Sequence, residues 1–185
     1  MDIQRRKDEL RRLILSRRER TTPQERTERA AAIVRTLTGL PELAAARSVL
    51  AYASVRSEVP TAELLRWILE SGKSLAVPAV TGEGSMIAAR AGSLGHLAPG
   101  FRGIPEPPLE PAGPVDVAVV PGVAFDLACA RLGHGGGFFD AFLAAVPATT
   151  KIGVCFDFQV VDELPAEPHD VRMDLVVTES RVLRR

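Results

Sequence analysis

The sequence predicts an α/β domain in which a mostly parallel sheet is covered by helices on both faces, with a helical amino-terminal extension. Three observations predict it. Short apolar runs alternate with stretches of helical period. The chain has 185 residues, 46% hydrophobic and 25% charged, the length of one compact domain. Such a domain buries about 70% of the surface its unfolded chain exposes. The high apolar fraction and zero net charge also exclude an intrinsically disordered chain. Residues 1–185 are accordingly read as one domain, with residues 1–40 as its helical extension.

Ile3, Leu10, Leu13 and Ile14 lie among charges, which predicts an amphipathic helix over residues 3–20. Thr22 precedes Pro23, a cap followed by the residue favoured at the first helical position, so a second helix runs to about Leu37 and ends near Gly39. Ser48–Tyr52 reads as a buried strand. Residues 60–71 read as a helix capped by Thr61 and ended by Gly72. Ser74–Val77 and Met86–Ala89 read as strands around a turn at Thr81–Gly84. Gly92–Pro114, rich in Gly and Pro, reads as a connecting loop. Asp116–Val120 is a strand running into Pro121-Gly122, Phe138–Val146 a helix, Lys151–Cys155 a strand and Asp174–Thr178 the last strand.

Composition removes several function classes. No apolar run approaches the roughly 18 residues of a membrane span. The Arg-rich first twenty residues lack the apolar stretch of a secretory signal. Cys129 and Cys155 have no close Cys or His partner, so neither a disulfide framework nor a structural zinc site is expected. A soluble, cytoplasmic protein is the expectation. Residues 1–35 carry eleven basic and six acidic side chains. The acidic ones are interspersed, and interleaved aromatics are missing. The segment therefore reads as a solvated helix face, and nucleic-acid binding is not expected.

Chemistry concentrates in Pro121-Gly-Val-Ala-Phe-Asp126 and Arg131-Leu132-Gly133-His134-Gly135-Gly136-Gly137-Phe138-Phe139-Asp140. Four glycines in five positions precede a helix, where backbone N–H groups can approach a ligand and the helix amino terminus favours phosphate. Arg131 can supply a bidentate positive charge, and Asp140, in the first helical turn, can hold Mg²⁺ beside phosphates. The pattern is neither a P-loop nor a dinucleotide fingerprint. From these residues alone, a phosphate site and a flexible loop packed on a strand end both remain open.

The same residues resemble the 5-formyltetrahydrofolate cyclo-ligase (5,10-methenyltetrahydrofolate synthetase) family, whose pattern includes P-G-x-x-F-D and R-L-G-x-G-x-G-[YF]-[YF]-D. Further similarity lies in Lys7-Asp-Glu-Leu-Arg11, in Tyr52, Ser57-Glu58-Val59 and Thr61, and in Gly103-Ile-Pro-Glu106-Pro107. It continues through Phe158-Gln159, Leu164-Pro165, His169-Asp170 and Met173–Glu179. The resemblance implies a three-layer α/β/α, Rossmann-like fold with its cleft at the carboxyl ends of the strands. It also implies ATP- and Mg²⁺-dependent closure of 5-formyltetrahydrofolate to 5,10-methenyltetrahydrofolate with release of ADP and phosphate. In that chemistry the formyl oxygen is phosphorylated and N10 then attacks the activated carbon.

By resemblance, Lys7 and Arg11 match ATP-binding positions, and their i, i+4 spacing puts them on one helix face. Arg131, Leu132 and the Gly133, His134, Gly135, Gly136, Gly137 loop match the nucleotide segment, with Arg131 and Lys7 expected to act in catalysis. Asp140 and Asp170 match metal positions. Glu58 and Ala53 match folate-contacting positions. Phe138 and Phe139, where the family usually has tyrosines, and His134 are expected at the nucleotide and folate. Cys129 replaces a frequent glycine, which strains the backbone if the position needs positive φ. The expected partner is free or polyglutamylated 5-formyltetrahydrofolate, with no nucleic acid, no membrane and a monomer rather than an obligate oligomer. Two other readings are a cyclo-ligase-like paralogue acting on another substrate and a nucleotide- or folate-binding protein without turnover.

Overall fold

The computed structural model describes residues 3–82, 85–165, 167 and 170–185. The chain opens with α1 (Ile3–Glu19), α2 (Pro23–Gly39) and α3 (Pro41–Ala45). β1 (Ser48–Ala51), α4 (Ala62–Glu70), β2 (Ser74–Gly82) and β3 (Ser85–Arg90) follow. After the short strands β4 (Ala98–Pro99) and β5 (Pro105–Glu106) come β6 (Val117–Pro121), β7 (Ala124–Asp126) and β8 (Arg131–Leu132). The remainder is α5 (Phe138–Ala145), β9 (Thr150–Val154), β10 (Val160–Val161), β11 (Leu175–Val177) and β12 (Val182–Arg184).

Seven strands form the central sheet in the order β12-β11-β9-β6-β1-β2-β3. The inner five are parallel, and the edge strands β12 and β3 run antiparallel. Alternation along each strand separates two cores, as the two-residue strand period requires. Val49, Ala51, Val117, Val119, Ile152, Val154, Leu175 and Val177 meet α2, α3 and α4 through Ile33, Leu37, Leu43, Leu64 and Ile68. Leu50, Ala118, Val120 and Val176 face the other way, toward Phe125 and Leu143 of α5. This is the expected three-layer arrangement.

Local chemistry explains the element ends that were legible. Thr22 closes a capping box on α2: its hydroxyl accepts from Glu25 N at 3.2 Å and its own N–H donates to Glu25 Oε2 at 2.8 Å. Thr61 stands at the N-cap of α4 as expected, with the helix starting at Ala62, but its side chain makes no capping hydrogen bond. Its hydroxyl instead donates to the Tyr52 carbonyl at 2.7 Å and accepts from Ser54 N at 3.0 Å, tying the loop after β1. The expected loop at Gly92–Pro114 contains the paired β4 and β5, and Asp174–Thr178 is not the last strand, because β12 pairs beside it. β2 runs on to Gly82, beyond the expected Val77. Glu83 and Gly84 of the expected turn lie outside the described residues.

Two details position the site. β7, β8 and β10 form a small second sheet, on which α1 docks through Ile14 against Val123, Ala124, Ala130 and Leu132. Cys129, at the β7–β8 turn, is buried with φ 60°, so the strain anticipated for a non-glycine residue there is present. Beneath this sheet the Phe125 ring lies against the backbone of Gly153, where a Cβ would collide with it. Gly153→Ala is therefore expected to cost about 1–3 kcal/mol by overpacking. The check is the urea midpoint at unchanged slope. An unaltered midpoint would mean that the ring moves aside without strain.

Candidate active site

β1 and β6 are neighbours, but the chain leaves β1 toward β2 and comes back to β6 on the opposite side. Ligand clefts of open parallel sheets form at such a reversal, beyond the carboxyl ends of the strands. Here the end of β1 leads into residues 52–61, and the end of β6 leads through Pro121 into the small sheet that carries Arg131.

Arg131 lies on β8 with its side chain only 4% exposed. Nη2 donates to Asp140 Oδ2 at 2.7 Å and Nη1 to the Pro121 carbonyl at 3.3 Å. Its guanidinium stands 5.7 Å from the Phe139 ring centroid. The loop folds back so closely that a Cβ on Gly133 would sit 2.8 Å from that guanidinium and displace it. Gly135 (φ 98°) and Gly137 (φ 69°) take left-handed conformations before α5 begins. Two buried polar atoms here, Arg131 Nε and Asp140 Oδ1, have no hydrogen-bond partner. Orphaned atoms of this kind call for a ligand, ion or water.

α1 brings its basic face to this loop. Arg11 Nε donates to the Gly133 carbonyl at 2.9 Å. Lys7, 5% exposed, donates to Asp170 Oδ2 and Glu167 Oε2, each at 2.7 Å. Burial alone would lower the Lys7 pKa, but the hydrogen bonds it donates to Asp170 and Glu167, with their negative charge, outweigh it and hold the value above the ordinary one. A raised lysine pKa means that this pairing stabilises fully below the unfolded value of about 10.5 and fades as pH rises through the folded one. The apolar pattern alone misplaced the buried face of α1. Ile3 and Leu13 are exposed, whereas Lys7, Ile14 and Arg18 are buried.

Across the loop, His134 Nε2 lies 3.7 Å from Glu58 Oε1. The Glu58 side chain is 12% exposed, and its Oε2 accepts from Val55 N at 3.0 Å. Thus one loop, residues 131–137, connects Arg11 of α1, the Arg131–Asp140 pair and the Glu58 carboxylate. Phe138 faces Phe101 at 5.6 Å between centroids, while Phe139 packs between the two sheet cores. Two expected site residues offer little side chain to a ligand. Leu132 is buried under α1 and its carbonyl accepts from Val123 N, and Ala53 is buried in the core at the end of β1. His169 lies outside the described residues.

Sequence reasoning did not anticipate the contacts that Glu167, Arg18 and Phe101 make with Lys7, Ser57 and Phe138. Arg18 follows Lys7 by eleven positions and Arg11 by seven, so it shares their helical stripe, but only the docked helix shows that this stripe turns inward. Glu167 and Phe101 sit in loops whose approach no local pattern signals.

Among the described residues, no three His, Cys, Asp or Glu side chains cluster as a ready-made metal cage. Asp140 and Asp170 suit Mg²⁺ all the same, because that ion usually takes one or two carboxylates and completes its shell with water and phosphate oxygens. The unpartnered Oδ1 of Asp140 is a donor of the right kind.

Residues 3–179 match the profile of the 5-formyltetrahydrofolate cyclo-ligase family. A 5-formyltetrahydrofolate cyclo-ligase from Mycolicibacterium smegmatis is 37% identical over 185 residues, spanning 95% of this chain and 94% of that one. The enzyme of that name from Escherichia coli K12 is 30% identical over 179 residues, 92% of this chain and 98% of its own. Among solved structures, the Aquifex aeolicus 5,10-methenyltetrahydrofolate synthetase superposes with a TM-score of 0.87 at 35% identity, covering 96% of this chain and 92% of that one.

Proposed function

The chain belongs to the 5-formyltetrahydrofolate cyclo-ligase family, a family of enzymes, and on that premise we propose that it closes 5-formyltetrahydrofolate to 5,10-methenyltetrahydrofolate with ATP and Mg²⁺. The observation that carries this reading is the pairing of two buried cations with two carboxylates: Arg131 with Asp140 beside the glycine loop, and Lys7 with Asp170 one helical turn from Arg11, which itself binds that loop. Phosphoryl transfer needs positioning and charge neutralisation more than a protein nucleophile, and this set supplies both.

The formyl oxygen takes the γ-phosphoryl group of ATP, N10 attacks the formyl carbon, and the oxygen departs within phosphate as N10 gives up its proton. Arg131, held from below by Pro121 and Asp140, presents a planar guanidinium to phosphoryl oxygens. Lys7 offers a compact point charge, and Arg11 anchors the loop by its carbonyl. N–H groups at the start of α5 add the positive end of the helix dipole. Asp140 and Asp170 would hold Mg²⁺, whose bound charge stabilises the phosphates. Glu58 accepts hydrogen bonds from the pterin N–H groups, with His134 at its side.

Because each carboxylate already neutralises a cation, nucleotide and metal are expected to enter together: phosphate takes the cations and the metal takes the carboxylates. The test follows methenyltetrahydrofolate absorbance with ATP, Mg²⁺, both or neither. Turnover only with both supports the reading. Folded protein that binds ATP without converting 5-formyltetrahydrofolate would overturn it.

A further inference from the structure

α1 does more than deliver Lys7 and Arg11. Arg18 lies on the same face, about 16 Å further along the axis than Lys7. It is 4% exposed, and its Nε donates to Ser57 Oγ at 3.1 Å within a buried contact. Glu58, the next residue, is the foremost opposite charge acting on the guanidinium. Burying a guanidinium is costly unless it is paired. Ile14, one turn away on the same face, is buried as an apolar side chain, so this groove has no intrinsic need of charge.

The segment that Arg18 touches holds a strained residue beside the contact. Residues 52–61 are tied internally by Tyr52 Oη donating to the Val59 carbonyl at 3.1 Å, by the Ser54–Thr61 bonds, and by Glu58 N donating to the Val55 carbonyl at 3.2 Å. Arg56 within it has φ 55°, a left-handed conformation that a side chain resists and that persists only when the surroundings enforce it. The Arg18–Ser57 contact acts on the very next residue.

We propose that Arg18 is a positioning residue for the folate substrate. It clamps Ser57, holds Glu58 toward the cleft, and joins that loop through α1 to the nucleotide end at Lys7 and Arg11. The inference rests on Glu58 being the carboxylate that receives the pterin.

Kinetics and direct 5-formyltetrahydrofolate binding in Arg18→Met, Arg18→Lys and Ser57→Ala, with Glu58→Gln as reference, test it. Arg18→Met is expected to raise the folate KM and Kd about tenfold, the scale of one hydrogen bond to a charged group, with kcat and the ATP KM little changed. Arg18→Lys restores part of the loss. Ser57→Ala gives a smaller rise, and the Arg18→Met/Ser57→Ala double variant is no worse than Arg18→Met alone. Equal losses for both substrates, or fully additive effects, would make the contact mere packing and overturn the proposal. If Arg18→Met fails to fold, an unchanged folate KM in both Arg18→Lys and Ser57→Ala overturns it equally. Glu58→Gln with an unaltered folate KM sinks the Glu58 reading and this inference with it. A raised KM in Glu58→Gln beside an unchanged one in the Arg18 variants sinks only the role of Arg18.

Discussion

Arg131→Lys is expected to lower kcat by about 10²–10³, with the fold intact. A transition-state arginine on a transferring phosphoryl group contributes roughly 10³–10⁵ in rate, and lysine keeps the charge but loses the planar fork. The fork has a definite task here. One nitrogen is committed to Asp140 at 2.7 Å, another to the Pro121 carbonyl at 3.3 Å, and Nε is buried without a partner. A lysine could replace the charge, but it could not reach both anchors and still face the phosphate. Arg131→Met is expected to be worse and less stable as well, since it leaves Asp140 without its cation. Absorbance kinetics together with thermal melts separate the two effects. A lysine variant with near-normal kcat would remove the guanidinium from the phosphoryl step.

Asp140→Asn is expected to reduce turnover with MgATP by about 10²–10³, because a bound metal supplies several kcal/mol of charge stabilisation and each 1.36 kcal/mol is tenfold in rate. Asparagine retains an acceptor for Arg131, so shape is conserved while the negative charge is lost. Stability of the ligand-free protein should fall by about 1–3 kcal/mol from the weakened bond to the buried guanidinium. A readout independent of activity is Mn²⁺ binding, followed by electron paramagnetic resonance with and without a non-hydrolysable ATP analogue. The wild type should take up the ion with nucleotide present, and the variant should not. Equal uptake by both would show that Asp140 serves only to orient Arg131, and the metal role would pass to Asp170.

Local physics made much of this legible. The parallel strands read correctly because burial on both faces turns them into unbroken apolar runs, as in Val117–Val120. α2 was marked at its start by Thr22 and Pro23, whose capping chemistry is complete within four residues. The loop from Arg131 to Asp140 declared itself through glycines that no packed strand or helix would tolerate together. Less was visible where pairing depends on distant partners. β12 is a three-residue edge strand that exists because β11 lies beside it, and β8 is two residues long.

Within the site the same division holds. Residue type and spacing by themselves determined the α/β class, the glycine-rich loop, its arginine and the carboxylate in the first turn of α5. These are properties of short segments, set by backbone freedom and helix ends. Tertiary structure alone decided which side of α1 turns inward, that Lys7 meets Asp170 from 163 positions away, and that Arg18 reaches Ser57. The exposed Ile3 and Leu13 show why: a helix has no inward face until something is built for it to dock against. Here that surface is assembled from residues more than a hundred positions further along the chain. The free energy that selects the face belongs to the contact between them, and no window of α1 contains it.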